Sequence, residues 1–294
     1  MRRVILALLT IAVCWFASYA AHAAEFNLPK QVTAGKEFSV TTSGSGDGVL
    51  VLIGPRAISQ HKVKLGDAIS ISDEDVRAAG RYIAVLRAGG ESNSKTFFAA
   101  AGKPGKLTFL ARPSRVPAGK QDVISGVAFV FDQYDNLVLA PSEVRFDLSV
   151  GGKQSASRAV TTKNGIAWTR MNSGSTQGAA QFVASLPGAE DEEASVRRVV
   201  QQVAAEACNL RMRAQRTERA IVVETEPVKD CSGNSLPDGT IVTFTEVDAA
   251  GRSTVDARIK RDIARAELPL SDNAAISVAS GVVLGNELHM GSGK

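Results

Sequence analysis

Residues 130–148 read VFDQYDNLVLAPSEVRFDL: an apolar strand ending at Phe131, a polar turn Asp132-Gln133-Tyr134-Asp135-Asn136, then apolar residues at Val144, Phe146 and Leu148. Alternation through Val144, Phe146, Leu148 and Val150 is the period of a strand with one buried face, and Val127, Phe129 and Phe131 suggest the same for the partner. The pattern returns without a gap, because Asp230, Asn234, Val242 and Phe244 each stand 98 residues after Asp132, Asn136, Val144 and Phe146 (230 − 132 = 234 − 136 = 242 − 144 = 244 − 146 = 98). A polar turn between half-buried strands, repeated about a hundred residues later, is the signature of tandem β-sandwich modules.

The copy continues downstream with small slips. Lys163 to Ala167 corresponds to Lys260 to Ala264 at an offset of 97, and Ala179-Ala180 and Val183-Ala184-Ser185 align with Ala274-Ala275 and Val278-Ala279-Ser280 at 95. Upstream, Phe38 and Val40 alternate with polar residues, Gly44, Gly46 and Gly48 suggest a hairpin-like turn, and Val49 to Ile53 is a buried-strand run closed by Gly54-Pro55. Asp73 to Gly80 suggests one helical turn with Asp73 as N-cap, and Tyr82 to Leu86 follows as a strand. A carboxylate, a turn, a glycine and a tyrosine entering a strand resembles the corner before strand F of immunoglobulin-like sandwiches. The Pro113-to-Gly119 segment is expected as a turn. Valines at 196, 199, 200 and 203 fall at helical spacing but favour strand, so 196–207 stays open between a final strand and a linking helix.

A Pro-rich opening turn, a strand into Asp132, Asp135 and Asn136, a strand at Phe146, Asn164-Gly165-Ile166-Ala167 and a strand at Phe182-Val183-Ala184 together resemble the bacterial Ig-like domains of the invasin and intimin type, over residues 106–204. The resemblance implies an all-β chain of tandem immunoglobulin-like β-sandwich domains and an adhesive role. The expected division is a signal peptide over 1–24, an Ig-like domain over 25–102, an invasin-type domain over 106–204 and a degenerate one over 207–290.

Met1-Arg2-Arg3 followed by an apolar run from Val4 and small residues at Ala21 and Ala23 predicts a secretory signal peptide cleaved after Ala23 or Ala24. Val13 before Cys14 is too large for a lipid-attachment site, and the apolar run is too short for a spanning helix. Loss of Arg2 and Arg3 lowers the net charge from +4 to +2, and with no basic block that leaves no electrostatic case for nucleic acid. No integral membrane segment is expected after the signal. Cys14 leaves with it, and the remaining pair, Cys208 and Cys231, is expected as a disulfide of an exported protein.

Chemistry-bearing patterns are few. His61 and His289 lie near opposite ends of the mature chain, and no serine carries a nucleophile-elbow pattern, so no catalytic residue, no cofactor and no enzyme activity is expected. Asp132, Asp135 and Asn136 are weak calcium candidates, since hard cations favour converging oxygens. Gly233 in place of Asp135 in the copy argues instead for a turn requirement, with binding sought elsewhere. Glu190 to Glu193 is expected as a solvated loop, and Trp168 as a core or sheet-face aromatic rather than a sugar platform. The function expected is non-enzymatic binding or adhesion to a protein or cell-surface partner. The alternative is a periplasmic spacer or assembly factor.

Overall fold

The structure is a computed structural model and describes residues 24–189 and 192–291. The expected signal peptide, Ala24 apart, lies outside the described residues, as do Glu190 and Asp191. Among the described residues the only helices are the 3₁₀ turns Glu74–Val76 and Glu192–Ala194, and no helix is long and apolar enough to cross a membrane. All other regular structure is strand, arranged as tandem immunoglobulin-like β-sandwiches. The chain divides into two compact units, one of residues up to 103 together with 131–138, the other of 104–130 and 139 onward.

In the first unit a three-stranded sheet (Phe26–Asn27, Phe38–Thr42, Ala68–Ile71) faces a five-stranded one (Gln31–Thr33, Glu91–Ala100, Gly80–Ala88, Asp47–Ile53, Ile58–Lys64). Every pairing is antiparallel except that of Gln31–Thr33 with Glu91–Ala100. Phe26, Leu50, Leu52, Ile71, Leu86 and Phe97 fill the space between. The Tyr82 ring stacks on Phe97 and its buried hydroxyl donates to the Ala78 carbonyl at 2.9 Å, the corner its sequence context resembles. One expectation fails here and another is sharpened. Phe38–Thr42 and Asp47–Ile53 lie in different sheets, so the Gly44–Gly48 segment crosses between sheets and makes no hairpin. Asp73 caps nothing. The carboxylate organising that turn is Asp75, which accepts from the Ser72 backbone N–H and from Ser72 Oγ.

The second unit begins with a three-stranded sheet (Lys106–Arg112, Ile124–Phe131, Ile166–Met171) over a five-stranded one (Arg115–Pro117, Ser195–Val203, Gly178–Ser185, Glu143–Val150, Lys153–Thr161). Phe109, Phe146 and Phe182 cluster in its core with ring centroids 5.0–6.0 Å apart. Val144, Phe146 and Leu148 point inward as their alternation predicts. The partner strand alternates too, but on the opposite face from the one expected. Ile124, Gly126, Ala128 and Val130 are buried, while Val127, Phe129 and Phe131 are half-buried on the outside. Phenylalanine bulk forces this choice: a Cβ at Gly126 would lie 2.8 Å from Phe182 and 3.1 Å from Phe109, so small residues must face the three rings. Within 113–119, Arg115–Pro117 is a short strand parallel to Ser195–Val203, so the segment is more than a turn. The latter strand also pairs antiparallel with Gly178–Ser185, which settles 196–207 for strand up to Val203.

The same unit continues with a sheet of Met212–Arg216, Ile221–Thr225 and Arg265–Leu268, a sheet of Gly251–Arg258, Ile241–Asp248, Ala274–Ser280 and Val283–Met290, and the short pair Ala207–Cys208 with Lys229–Asp230. Ile221, Val223, Phe244, Leu268 and Ile276 are buried between them. Register corrects the alignment read from sequence. Phe146 faces Ala184 and its counterpart Phe244 faces Val278, so this strand is displaced by 94 (278 − 184), not 95. An odd slip would turn every inward side chain outward, and Ala274, Ile276 and Val278 are the buried set.

Candidate functional site

The repeated polar turn is wired identically in its two copies. A carboxylate two residues before a tight turn can collect backbone N–H groups ahead of it, as in an Asx-turn. Asp132 Oδ1 accepts from the N–H groups of Tyr134 and Asn136, both at 2.9 Å, and Asp230 Oδ1 accepts from those of Ser232 and Asn234 at 2.9 and 2.8 Å. The other oxygen takes the Asn side-chain amide and one distant backbone N–H. That N–H belongs to Gly102 in the first copy and to Ala205 in the second. Both carboxylates are buried. Burial pushes their pKa values up, but the donated hydrogen bonds, the Asn side chain's first, outweigh it and hold both below the usual carboxylate range.

The asparagines reach further. Asn136 accepts from Ala79 N–H and donates to the Arg77 carbonyl, each at 2.8 Å. Asn234 accepts from Gln177 N–H at 2.9 Å and donates to the Ser175 carbonyl at 2.8 Å. Each turn therefore anchors a loop 57–59 residues upstream and a linker 25–30 residues upstream through two side chains. A third contact completes the pattern. A Cβ on Gly35 would lie 1.9 Å from the Tyr134 ring, and one on Gly119 would lie 2.8 Å from Ser232 Oγ, Tyr134 and Ser232 being 98 residues apart. Both glycines follow an alanine and have φ near +68° (+67° and +69°).

Asp135 lies exposed on this turn at φ +61°, and Gly233 occupies the same place at φ +84°. The position is set by backbone conformation, which accounts for its loss of the carboxylate in the copy. Of the three calcium candidates, Asp132 has both oxygens engaged by N–H donors and Asn136 has its amide engaged on both sides. Among the described residues no group of three His, Cys, Asp or Glu converges as metal ligands would. Sequence reading found the repeat but missed this anchoring, since its partners are backbone groups without a side-chain signature. The Ala34-Gly35 and Ala118-Gly119 pairs, 84 residues apart, were the available signal.

The remaining candidates separate. His61 Nε2 lies 3.2 Å from Asp75 Oδ1, and His289 is exposed with Nε2 3.2 Å from Glu287 Oε1. Cys208 and Cys231 are joined, tying the strand Ala207–Cys208 to the second turn. Glu193 is exposed and ion-paired with Lys106. Trp168 is 57% exposed on the outer face of its sheet, opposite Val127.

No family model matches the chain, and no curated protein matches it. Solved structures do. FdeC, an Escherichia coli adhesin, matches 92% of this chain and 96% of its own at 15% identity, with a TM-score of 0.60. In fold, the chain is similar to the Ig-like domains of this adhesin. InvD of Yersinia pseudotuberculosis matches 92% of the chain and 98% of its own at 12% identity and a TM-score of 0.51. Invasin, a bacterial integrin-binding protein, matches 91% of this chain and 59% of its own at 14% identity and a TM-score of 0.48.

Proposed function

We propose that this chain is a non-enzymatic, exported protein of the cell envelope or surface that binds a protein or cell-surface partner through tandem Ig-like modules, at 25–102, 106–204 and 207–290. The observation that carries this reading is its fold likeness to the adhesin FdeC along nearly its whole length. The disulfide supports an oxidising compartment. The buried anchoring of both turns favours a second reading, a periplasmic spacer or assembly factor, because such junctions suit a chain that sets distances.

Fractionation combined with a binding assay tests the two. The first reading expects the purified 24–294 chain to bind host or neighbouring cells saturably, and to lose binding when a module is removed. Protein confined to the soluble periplasm, crosslinking to one defined envelope complex and showing no surface binding, would overturn it in favour of the spacer.

A further inference from the structure

The outer face of the sheet formed by Lys106–Arg112, Ile124–Phe131 and Ile166–Met171 differs in kind from its counterparts. In the first unit the corresponding face carries Asn27, Ser39, Thr41 and Ser70, all exposed. In the last module it carries the Arg213–Glu224 ion pair with Gln215 and Glu267. Here it carries Leu110, Ile166 and Trp168, exposed at 50%, 39% and 57%. They share the outer face of the sheet with half-buried Val127 and Phe129, and Val127 lies directly opposite Trp168 as Phe129 does Ile166. Exposed large apolar side chains grouped on one face, where the exposed positions of the equivalent faces are polar apart from Ala68, mark a contact surface.

We infer that this face docks a segment of a partner protein that presents apolar side chains flanked by Asp or Glu. Charge selects that occupant. The three strands contain Lys106, Arg112 and Arg170 and no carboxylate. Lys106 is paired with Glu193, while Arg112 and Arg170 are exposed, in step with Leu110 and Trp168 along their strands, and make no ion pair among the described residues. A second copy of this chain would set the two arginines against their own kind, a like-charge cost that disfavours self-docking. Leu110, Val127 and Ile166 offer a glycan no hydrogen bond, whereas an apolar protein segment gains from covering all of them.

The inference rests on the binding role proposed above, and the test separates the two. p-Benzoylphenylalanine is placed at Ile166 and, as a control, at Thr41 of the full chain in its own cells. Irradiation is expected to give an adduct with a second protein at 166 only, mapping to an apolar segment that contains carboxylates. Arg112→Glu with Arg170→Glu is expected to cut adduct yield about tenfold. A synthetic peptide of the mapped segment should shift Trp168 emission to the blue, cleanly readable because the other tryptophan, Trp15, precedes the mature chain. Equal adducts at both positions, an adduct with a second copy, a glycan adduct or a mapped segment lacking carboxylates would each overturn the inference. Undiminished binding by the double variant would overturn this face while leaving the binding role standing. An intact chain that binds nothing in envelope or surface assays would overturn the binding role itself.

Discussion

The two polar turns, 132–136 and 230–234, share the hydrogen bonds of their Asp–Asn pair and differ in what reinforces them. The first is held by packing: Tyr134 sits against Gly35, with the Arg77 guanidinium 5.7 Å from its ring centroid. The second has Ser232 in place of that ring. It is held covalently, since Cys231 stands where the first turn has Gln133 (231 − 98 = 133) and is bonded to Cys208. What persists between them is the Asp–Asn pair and its backbone partners; the reinforcement around the pair is interchangeable.

The largest expected effect follows from removing the shared part. Asp132→Ala strands the N–H groups of Gly102, Tyr134 and Asn136 and should cost about 3 kcal/mol or more, read by denaturant unfolding and by faster hydrogen exchange at Gly102. Asp230→Ala should cost less, because the disulfide still holds its turn. Equal losses would break the distinction between packed and covalent reinforcement. Acid should weaken both turns without mutation. A carboxyl whose folded pKa lies below its unfolded value gives stability that is complete above the unfolded value, about 3.9, and lost as pH falls through the folded one. The protection factors of Gly102 and Ala205, their exchange measured against the intrinsic amide rate at each pH, should thus be flat near neutrality and fall below about pH 4.

Reducing Cys208–Cys231, a loop with sequence separation 23, should cost the last module about 3 kcal/mol in the chain-entropy model and leave the first unit unchanged. Calorimetry of oxidised and reduced protein checks this. Gly35→Ala should cost about 2 kcal/mol by displacing the Tyr134 ring and straining a positive φ. Gly119→Ala should cost about half that, since only a hydroxyl must move. The smallest effect concerns the other repeated turn. Asn164-Gly165 and Arg261-Asp262 both have positive φ at both positions, and their flanking bonds match. Asp262→Gly should therefore raise stability by up to about 1 kcal/mol, visible as a small rise in Tm.

Local periodicity made the fold legible. Strand positions, the Asn164-Gly165 turn, the tyrosine corner and the disulfide all follow from residues close in sequence or from counting cysteines. The failures share one cause, which is that facing is decided by distant partners. Alternation through 124–131 is symmetrical between its two faces, and only the bulk of Phe109 and Phe182 shows that Gly126 faces inward. The offset of 95 was plausible by residue identity, and only pairing against Phe244 reveals 94. The polar turn was legible as a repeat but not as an anchor, because Arg77, Ala79 and Gly102 contribute only their backbones. The apolar outer face escaped for the same reason: Trp168, Val127 and Leu110 become neighbours only across strands.

The first compact unit includes residues 131–138, which lie 28 positions beyond its last contiguous residue, Lys103. A polypeptide emerging amino-terminus first therefore presents residues 24–103 with the 77–79 loop, the Gly102 amide and the Gly35 corner all unmet. Closure waits until Asn136 has emerged. Completion of the first unit is thus timed by synthesis of the next, and a fragment ending at Lys103 is a body with its final tile missing.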